Sequence, residues 1–401
     1  MICRVCDSTD LEPVVDLGSQ PWCNNFLKVE EIGKEPFYPL RLIYCLTCHT
    51  SQLDFTVKKE IMFGDHTYLS GTTKSLSAHF QKIAQEVDIR FFSRTAKKSI
   101  LDIGSNDGTQ LKHFQALGYQ VLGVESSKTT SCIAIDAGVP TLNAFFNEDT
   151  MRSIGRQFDI FNASGVFFHL EELHSVCKAI KNGLKEDGVF VVQFLYMKSI
   201  MENLAFDQIY HEHLLYYTLE TIEKLLNRHG LAMFDAYLAP IHGGSVIGYI
   251  GHIDGRPVES RLLEMRAEEI ESGCNNINAY RVFDKNIREM KDKNLEFLQK
   301  ARIEGKSVYG FGAPVKGNTL LNYFGVNSEL IKYLIEKNSL RRGLYSPGMH
   351  IPLKIEDEVI EHPDIYYVLA WNFKEEILKN NQHLVDKGIE FYFPVNPKVS
   401  A

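Results

Sequence analysis

The sequence predicts an α/β protein in three parts: a small cysteine-rich module, a doubly wound α/β domain, and a second Rossmann-like α/β domain. Three observations predict it. Five of the eight cysteines fall within the first 48 residues, four of them as two Cys-x-x-Cys pairs. Strand-like and helix-like patterns alternate between Ser99 and Gln193. A second strand, glycine-rich loop and helix begin at Lys306. The 401 residues also exceed what one core usually serves, about 100–200 residues.

Composition narrows the function. Hydrophobic residues make up 44% and charged residues 23%, which excludes wholesale disorder. The net charge of −8 speaks against a protein built to wrap nucleic acid, which carries a basic field. No stretch approaches the roughly 20 apolar residues that span a bilayer. The start, MICRVCDSTD, lacks a basic segment followed by an apolar one, so no secretory signal is read there. The expectation is a soluble cytoplasmic protein with no nucleic-acid or membrane partner. Its oligomeric state is left open, and a monomer is compatible with the sequence.

Cys3 and Cys6 form one Cys-x-x-Cys knuckle, and Cys45 and Cys48 form another. Each knuckle presents two thiolates from a tight turn, the arrangement tetrahedral Zn²⁺ favours. Four thiolates leave no open position, so the zinc is expected to be structural. Buried apolar cysteines are the alternative. Cys23 is read as a nearby or substitute thiol, and Cys132, Cys177 and Cys274 as core residues.

A helix is expected through His79 and Phe80. Ser99-Ile-Leu-Asp-Ile-Gly104 then reads as a strand entering the turn Ser105–Gly108, with a helix from Thr109. Further strands are expected at Gln120–Glu125, Phe158–Asn162 and Gly188–Gln193, with a helix over Leu173–Leu184. The charged stretch from Leu262 to Ala301 reads as a solvated connecting helix. Strands at Lys306–Gly312, Ile331–Glu336 and Ile365–Ala370 make up the last domain.

The loop Leu101-Asp-Ile-Gly-Ser-Asn-Asp-Gly108 contains two glycines, Gly104 and Gly108, and so fails the dinucleotide pattern G-x-G-x-x-G. Asp102 and Asp107 would repel a pyrophosphate. Glu125, ending the next strand, can accept both hydroxyls of a ribose. The loop suits a phosphate-free, positively charged nucleoside, a description S-adenosylmethionine meets. A loop that merely turns strand into helix is the alternative.

This octapeptide resembles motif I of class I methyltransferases, in the form found in the sugar C-methyltransferases of deoxysugar biosynthesis. The resemblance extends over nearly the whole chain. It is carried by Phe206-Asp-Gln-Ile-Tyr-His-Glu-His213, Ile241-His-Gly-Gly-Ser245, Tyr309-Gly-Phe-Gly-Ala313, Lys316-Gly-Asn-Thr-Leu-Leu321 and Tyr345-Ser-Pro-Gly-Met-His-Ile-Pro352. It implies a zinc-binding module over residues 1–65, an S-adenosylmethionine-dependent methyltransferase domain over 66–260, and a Rossmann-like nucleotide-sugar-binding domain over 261–401. Asp102, Gly104, Asn106, Asp107, Gly108 and Glu125 are the cofactor candidates.

Tyr210-His-Glu-His213 concentrates the most chemistry. His211 and His213 are two apart, which opposes the His-Glu-x-x-His zinc spacing, and a satisfied buried polar cluster is a further reading. The resemblance implies proton transfer, with His213 as general base, Tyr210 and Glu212 beside it, and His169 and Tyr68 nearby. Carbon methylation needs a carbanion equivalent, which a carbon next to a ketone supplies as an enolate. An imidazole titrates near neutrality and can remove that proton. The expected substrate is a nucleotide-linked 4-keto-6-deoxysugar methylated at C-3. The chain departs from its relatives at Gly165, where Asn is common, and at Ile247, where Arg is expected.

In the second glycine-rich half, Gly310, Gly312, Gly317 and Lys316 suggest a phosphate cradle without P-loop spacing. The resemblance implies that it holds the diphosphate of the sugar nucleotide. Lys316, Asn318, Tyr345, His350 and, from the central domain, His242 are the substrate candidates. Rival readings are an O- or N-methyltransferase with the same cofactor and a non-catalytic zinc-dependent scaffold.

Overall fold

The computed structural model describes residues 1–64, 69–72, 74–92 and 98–395. Tyr68 lies outside the described residues. The amino-terminal module is a hairpin of β1 (Leu11–Pro21) and β2 (Phe37–Cys45), extended by β3 (Ser51–Leu53) and followed by the short helix α1 (Lys59–Phe63). Pairing is antiparallel, with Leu11 opposite Cys45 and Pro21 opposite Phe37. That register sets the two cysteine knuckles side by side. It leaves residues 22–36 as a long excursion at the opposite end of the hairpin.

The central domain begins with α2 (Lys74–Val87), which buries Leu76, Phe80, Ile83, Ala84 and Val87 along one stripe. Next come β4 (Ser99–Ile103), α3 (Thr109–Ala116), β5 (Gln120–Glu125), α4 (Lys128–Asp136), β6 (Thr141–Asn143), α5 (Glu148–Ile154), β7 (Phe158–Ser164), α6 (Leu173–Gly183) and β8 (Leu184–Leu195). The helix α7 (Met197–Glu202), β9 (Leu215–Tyr216), α8 (Leu219–Asn227), β10 (Leu231–Ala239) and β11 (Ser245–His252) complete it. Seven strands lie in the order β10-β11-β8-β7-β4-β5-β6, with β11 antiparallel to both neighbours. The four crossover-linked pairs are parallel, and β4 and β7 are buried on both faces, as such sheets require. The strand β9 lies outside this sheet and pairs with β3, stitching the first module to the loop that follows α7.

Helices α9 (Ser260–Ser272) and α10 (Ile277–Ile303) lead into the last domain. There β12 (Val308–Phe311), α11 (Val315–Phe324), β13 (Leu334–Glu336), β14 (Leu353–Ile355), β15 (Ile365–Val368), α12 (Lys374–Asn380), α13 (Gln382–Val385) and β16 (Glu390–Tyr392) follow. The sheet β14-β13-β12-β15-β16 is parallel throughout.

Three expectations need correction. The stretch from Leu262 to Ala301 is two helices, parted at Gly273 with its left-handed φ of 65°. Nor is it a solvated connector: Tyr280, Phe283, Ile287 and Leu298 are buried along α10, and Glu269 is buried with its carboxylate accepting the first amides of α8. Charge on the outer face hid an apolar face underneath. Cys132 is exposed, while Cys177 and Cys274 are buried as expected. The strand expected at Ile331–Glu336 begins only at Leu334.

Candidate active site

The four thiols Cys3, Cys6, Cys45 and Cys48 come together, all within 4.8 Å of one another. Cys3 Sγ lies 3.4 Å from Cys48 Sγ, and Cys6 Sγ lies 3.6 Å from Cys45 Sγ. Tetrahedral Zn–S bonds of about 2.3 Å require sulfurs about 3.8 Å apart, so the cluster fits a zinc ion with little movement. The hydrogen bond from Cys3 draws the Cys48 thiol below its usual range against the effect of burial. Cys23 is not part of this group. It is buried, and its carbonyl accepts a hydrogen bond from Asn318 Nδ2 at 2.7 Å.

The glycine loop after β4 is built for close approach. Gly104 and Gly108 have φ of 68° and 76°, and a Cβ on Gly104 would lie 2.9 Å from Val166 Cγ2. A small polar cavity is lined by Asp102, Gly104, Ser105, Asn106, Gln110, Ser164, Ser70 and Phe80. Burial raises the Asp102 carboxyl to about 7, even though Asn162 Nδ2 donates to it at 2.6 Å. Ser105 Oγ is buried without a hydrogen-bond partner. An underneutralised carboxylate and an orphaned hydroxyl at one cavity suit a ligand bringing positive charge and hydroxyl groups. Glu125 accepts from Asn106 N and Ser127 N, both at 2.8 Å, so it also braces the loop it faces. Asp107 accepts from Gly71 N at 2.8 Å and Asn106 Oδ1 from Ser70 N at 2.9 Å. These two side chains tie the loop to the segment preceding α2.

Residues 206–214 form a short 3-10 turn and an irregular loop, so His211 and His213 do not share a face. His211 packs its ring edge-on against Tyr38, with ring centroids 5.7 Å apart. His213 turns the other way, into Phe168 at 4.6 Å, His169 at 5.1 Å and Tyr210 at 3.8 Å. Its Nδ1 lies 2.8 Å from the Gln208 carbonyl. A carbonyl only accepts, so Nδ1 carries the hydrogen and Nε2 keeps its lone pair. Burial, reinforced by His169, holds the imidazole well below its usual range, so the ring is neutral at physiological pH. His169 Nδ1 likewise donates to the Glu212 carbonyl at 2.6 Å. Burial keeps the Tyr210 phenol protonated, and it lifts the Glu212 carboxyl to about 7.

The Glu212 side chain points to the excursion of the first module, where Trp22 Nε1 donates to it at 2.7 Å. The same excursion reaches the last domain. Leu27 and Tyr345 exchange backbone hydrogen bonds, and His350 Nε2 meets Glu35 at 2.6 Å. Asn318, Tyr345 and His350 therefore join domains in this structure, while the His242 carbonyl accepts a hydrogen bond from Gln208 Nε2 at 2.9 Å. The Lys316 Nζ sits 3.7 Å above the Trp371 ring and 3.8 Å from Asp207 Oδ2. The departures from the family pattern fall in different settings: Ile247 is fully buried in β11, and Gly165 takes a φ of 72°. The larger described cavity, about 560 Å³ beside Cys3, Arg4 and His174, contains none of the candidate catalytic or cofactor residues.

Sequence reading missed Gln208, Asp207, Trp371, Ser105 and Trp22. Gln208 and Asp207 lie inside the Phe206–His213 motif, so their proximity to His213 was available. Trp22 stands 190 residues from Glu212, and no local pattern announces that contact.

Fold and site together are those of an S-adenosylmethionine-dependent methyltransferase. Three family models match the chain in sequence: a zinc binding domain over residues 3–63, a methyltransferase domain over 77–235, and a C-methyltransferase C-terminal domain over 240–396. The C-methyltransferase NovU of Streptomyces niveus is 30% identical over 404 aligned residues, spanning 99% of this chain and 96% of NovU. The chain belongs to the C-methyltransferase family, with its amino-terminal zinc-binding domain and its carboxy-terminal domain both present. Among solved structures, an S-adenosylmethionine-dependent methyltransferase from Clostridium acetobutylicum aligns at 16% identity and a TM-score of 0.37, over 44% of this chain and 92% of its own. The CcbJ methyltransferase from Streptomyces caelestis aligns at 14% identity and a TM-score of 0.35, over 43% of this chain and 89% of its own. Both overlaps are too slight to carry a functional inference.

Proposed function

We propose that this C-methyltransferase acts on a nucleotide-linked 4-keto-6-deoxysugar and installs the methyl group at C-3, in the cytoplasm. One observation carries the reading: His213 is buried and neutral, with Nδ1 committed to the Gln208 carbonyl and Nε2 left as a base. A methyltransferase acting on an already nucleophilic atom has less need of such a base. Carbon next to a ketone requires one.

The steps follow from the residues. His213 Nε2 takes the proton from C-3, and the C–H electron pair becomes an enolate with charge on the C-4 oxygen. Tyr210, protonated and packed at a tilt against His213, is assigned the donor to the developing charge. His169 is held by the Glu212 carbonyl and backs the His213 ring. Glu212 is fixed by Trp22, and Tyr68 is retained as a candidate neighbour of the sugar. When bound, S-adenosylmethionine supplies an electrophilic sulfonium methyl, and Asp102, Gly104, Asn106, Asp107, Gly108 and Glu125 would hold it. The diphosphate is assigned to Lys316 and the amino-terminal end of α11, with His242 beside it. Asn318, Tyr345 and His350 shape that half of the site by docking the first module. The three parts, residues 1–65, 66–260 and 261–401, thus hold zinc, methyl donor and sugar nucleotide.

The test is incubation with S-adenosylmethionine and dTDP-, GDP- and CDP-linked 4-keto-6-deoxysugars in deuterated water, with products read by mass and carbon NMR. A new methyl carbon bonded to C-3 is expected. A methyl on C-5, oxygen or nitrogen refutes the assignment. The variant His213→Asn is expected to lower kcat by about 10²–10⁴ with cofactor affinity intact. Near-normal turnover removes His213 from the role of base.

A further inference from the structure

The turn Phe206–Gln208, from which the His213 hydrogen-bond acceptor projects, is gripped by the carboxy-terminal domain. Phe206 packs between Tyr323 and Phe324 of α11, at ring centroid distances of 5.5 and 5.3 Å. Asp207 is fully buried, and its Oδ2 accepts from Trp371 Nε1 at 2.7 Å. Its Oδ1 has no hydrogen-bond partner. Lys316 Nζ stands 3.8 Å from Oδ2, too far for a hydrogen bond, and rests over the Trp371 ring. Two opposite charges thus meet between domains, and neither is fully engaged. From the same turn, Gln208 gives its carbonyl to His213 Nδ1 and its side-chain amide to the His242 carbonyl at 2.9 Å. Gly243 closes the cluster: a Cβ there would lie 3.2 Å from Trp371 Cη2 and 3.4 Å from Gln208 Nε2.

From this geometry we infer that Asp207 is a positioning residue for His213, acting through the Gln208 carbonyl. Trp371 and Lys316 of the carboxy-terminal domain anchor it, and Lys316 divides its charge between Asp207 and the anionic group of the substrate. The inference rests on the proposed base chemistry and adds to it a dependence of the base on the domain that holds the sugar nucleotide. A buried carboxylate with one strong donor and one loosely held cation is costly unless the site uses it. Here the cost is met by fixing a turn whose one carbonyl selects the tautomer of the base. Lys316 keeps unused donors, so a diphosphate can recruit it without breaking a hydrogen bond.

The test compares Asp207→Asn and Trp371→Phe with His213→Asn, using full-length zinc-loaded protein and the sugar nucleotide found to turn over. Asp207→Asn keeps the shape and an acceptor oxygen for Trp371 but removes the charge. The expected result is a fall in kcat of about tenfold or more, with KM for the sugar nucleotide unchanged or lower because Lys316 is released. A weaker Gln208 bond also lowers the basicity of His213, which His169, Tyr210, Tyr216 and His242 face from their own elements. The acid limb of the kcat profile should therefore move to lower pH. A purely structural role would scale the profile down without displacing it, and that result overturns the inference. So does wild-type kcat in both Asp207→Asn and Trp371→Phe while His213→Asn is inactive. If His213→Asn itself turns over normally, it is the base assignment that fails, and the inference falls with it. Should Asp207→Asn misfold, Trp371→Phe carries the same readouts.

Discussion

The two glycine-rich halves of this chain share a backbone plan and differ in charge. In the first, β4 enters a glycine loop, α3 follows, and β5 ends in Glu125, which binds Asn106 N in the loop and Ser127 N beyond the strand. In the second, β12 enters a glycine loop, α11 follows, and β13 ends in Glu336. That carboxylate binds Lys337 N and Asn338 N, and its other oxygen binds Arg341, which in turn reaches the Ala313 carbonyl in the loop. An acidic residue after the second strand therefore exists in both halves, although sequence reading found it only in the first. The first loop carries Asp102 and Asp107. The second carries Lys316, with Arg341 close by. Backbone geometry makes a ligand site at the carboxyl end of a parallel sheet, and side-chain charge then decides whether a cation or an anion fills it.

Breaking the first loop should have the largest effect on this contrast. Gly104→Ala must hold a left-handed φ and push Val166, a strain of about 1–3 kcal/mol before any ligand contact is lost. Calorimetry should show S-adenosylmethionine affinity falling about 100-fold with binding of the sugar nucleotide intact; equal losses for both ligands would mean the halves are not independent sites. Lys316→Ala should do the reverse, raising KM for the sugar nucleotide about 10–100-fold and leaving cofactor affinity within about twofold. The wild-type sugar-nucleotide affinity should also weaken with salt more than the cofactor affinity does.

A smaller effect is expected from pH. Burial lifts Asp102 to about 7, so its neutral form favours the ligand-free fold at low pH, and this contribution is lost as pH rises through that value. A cationic ligand prefers the ionised form. Cofactor affinity should thus rise by up to about tenfold between about pH 6 and 8, and Asp102→Asn should flatten the dependence. An unchanged slope in that variant would assign the titration elsewhere. The smallest expected change is from Glu336→Gln, which keeps the shape of the second loop but weakens its tie to Arg341. A drop in Tm of about 2–4 °C is expected, with S-adenosylmethionine affinity unchanged; a loss of cofactor binding would contradict the separation of the two halves.

Much of this was legible beforehand because it is local. The cysteine knuckles, the loop from Leu101 to Gly108 and the alternation of strands are set by neighbours within a few residues of one another. His213, the proposed base, was legible as a member of a motif. What suits it to that proposed role was not, since its tautomer depends on one carbonyl in a turn whose shape the octapeptide does not announce. His211 shows the same limit, because only the irregular loop decides that it turns away toward Tyr38. The α10 face was hidden by its abundant charge, although its apolar residues do recur at helical spacing.

The sequence by itself determined the alternation of strands and helices, a cysteine tetrad suited to zinc, an acidic first loop and a basic second loop, because each follows from residue type at short spacing. Tertiary structure alone decided how they cooperate. The excursion at residues 22–36 carries Trp22 to Glu212, Leu27 to Tyr345 and Glu35 to His350, and α11 and Trp371 close on Asp207. Such contacts join residues as many as 318 positions apart, as Leu27 and Tyr345 are. They form only when folded modules meet, where burial turns a few hydrogen bonds into strong constraints.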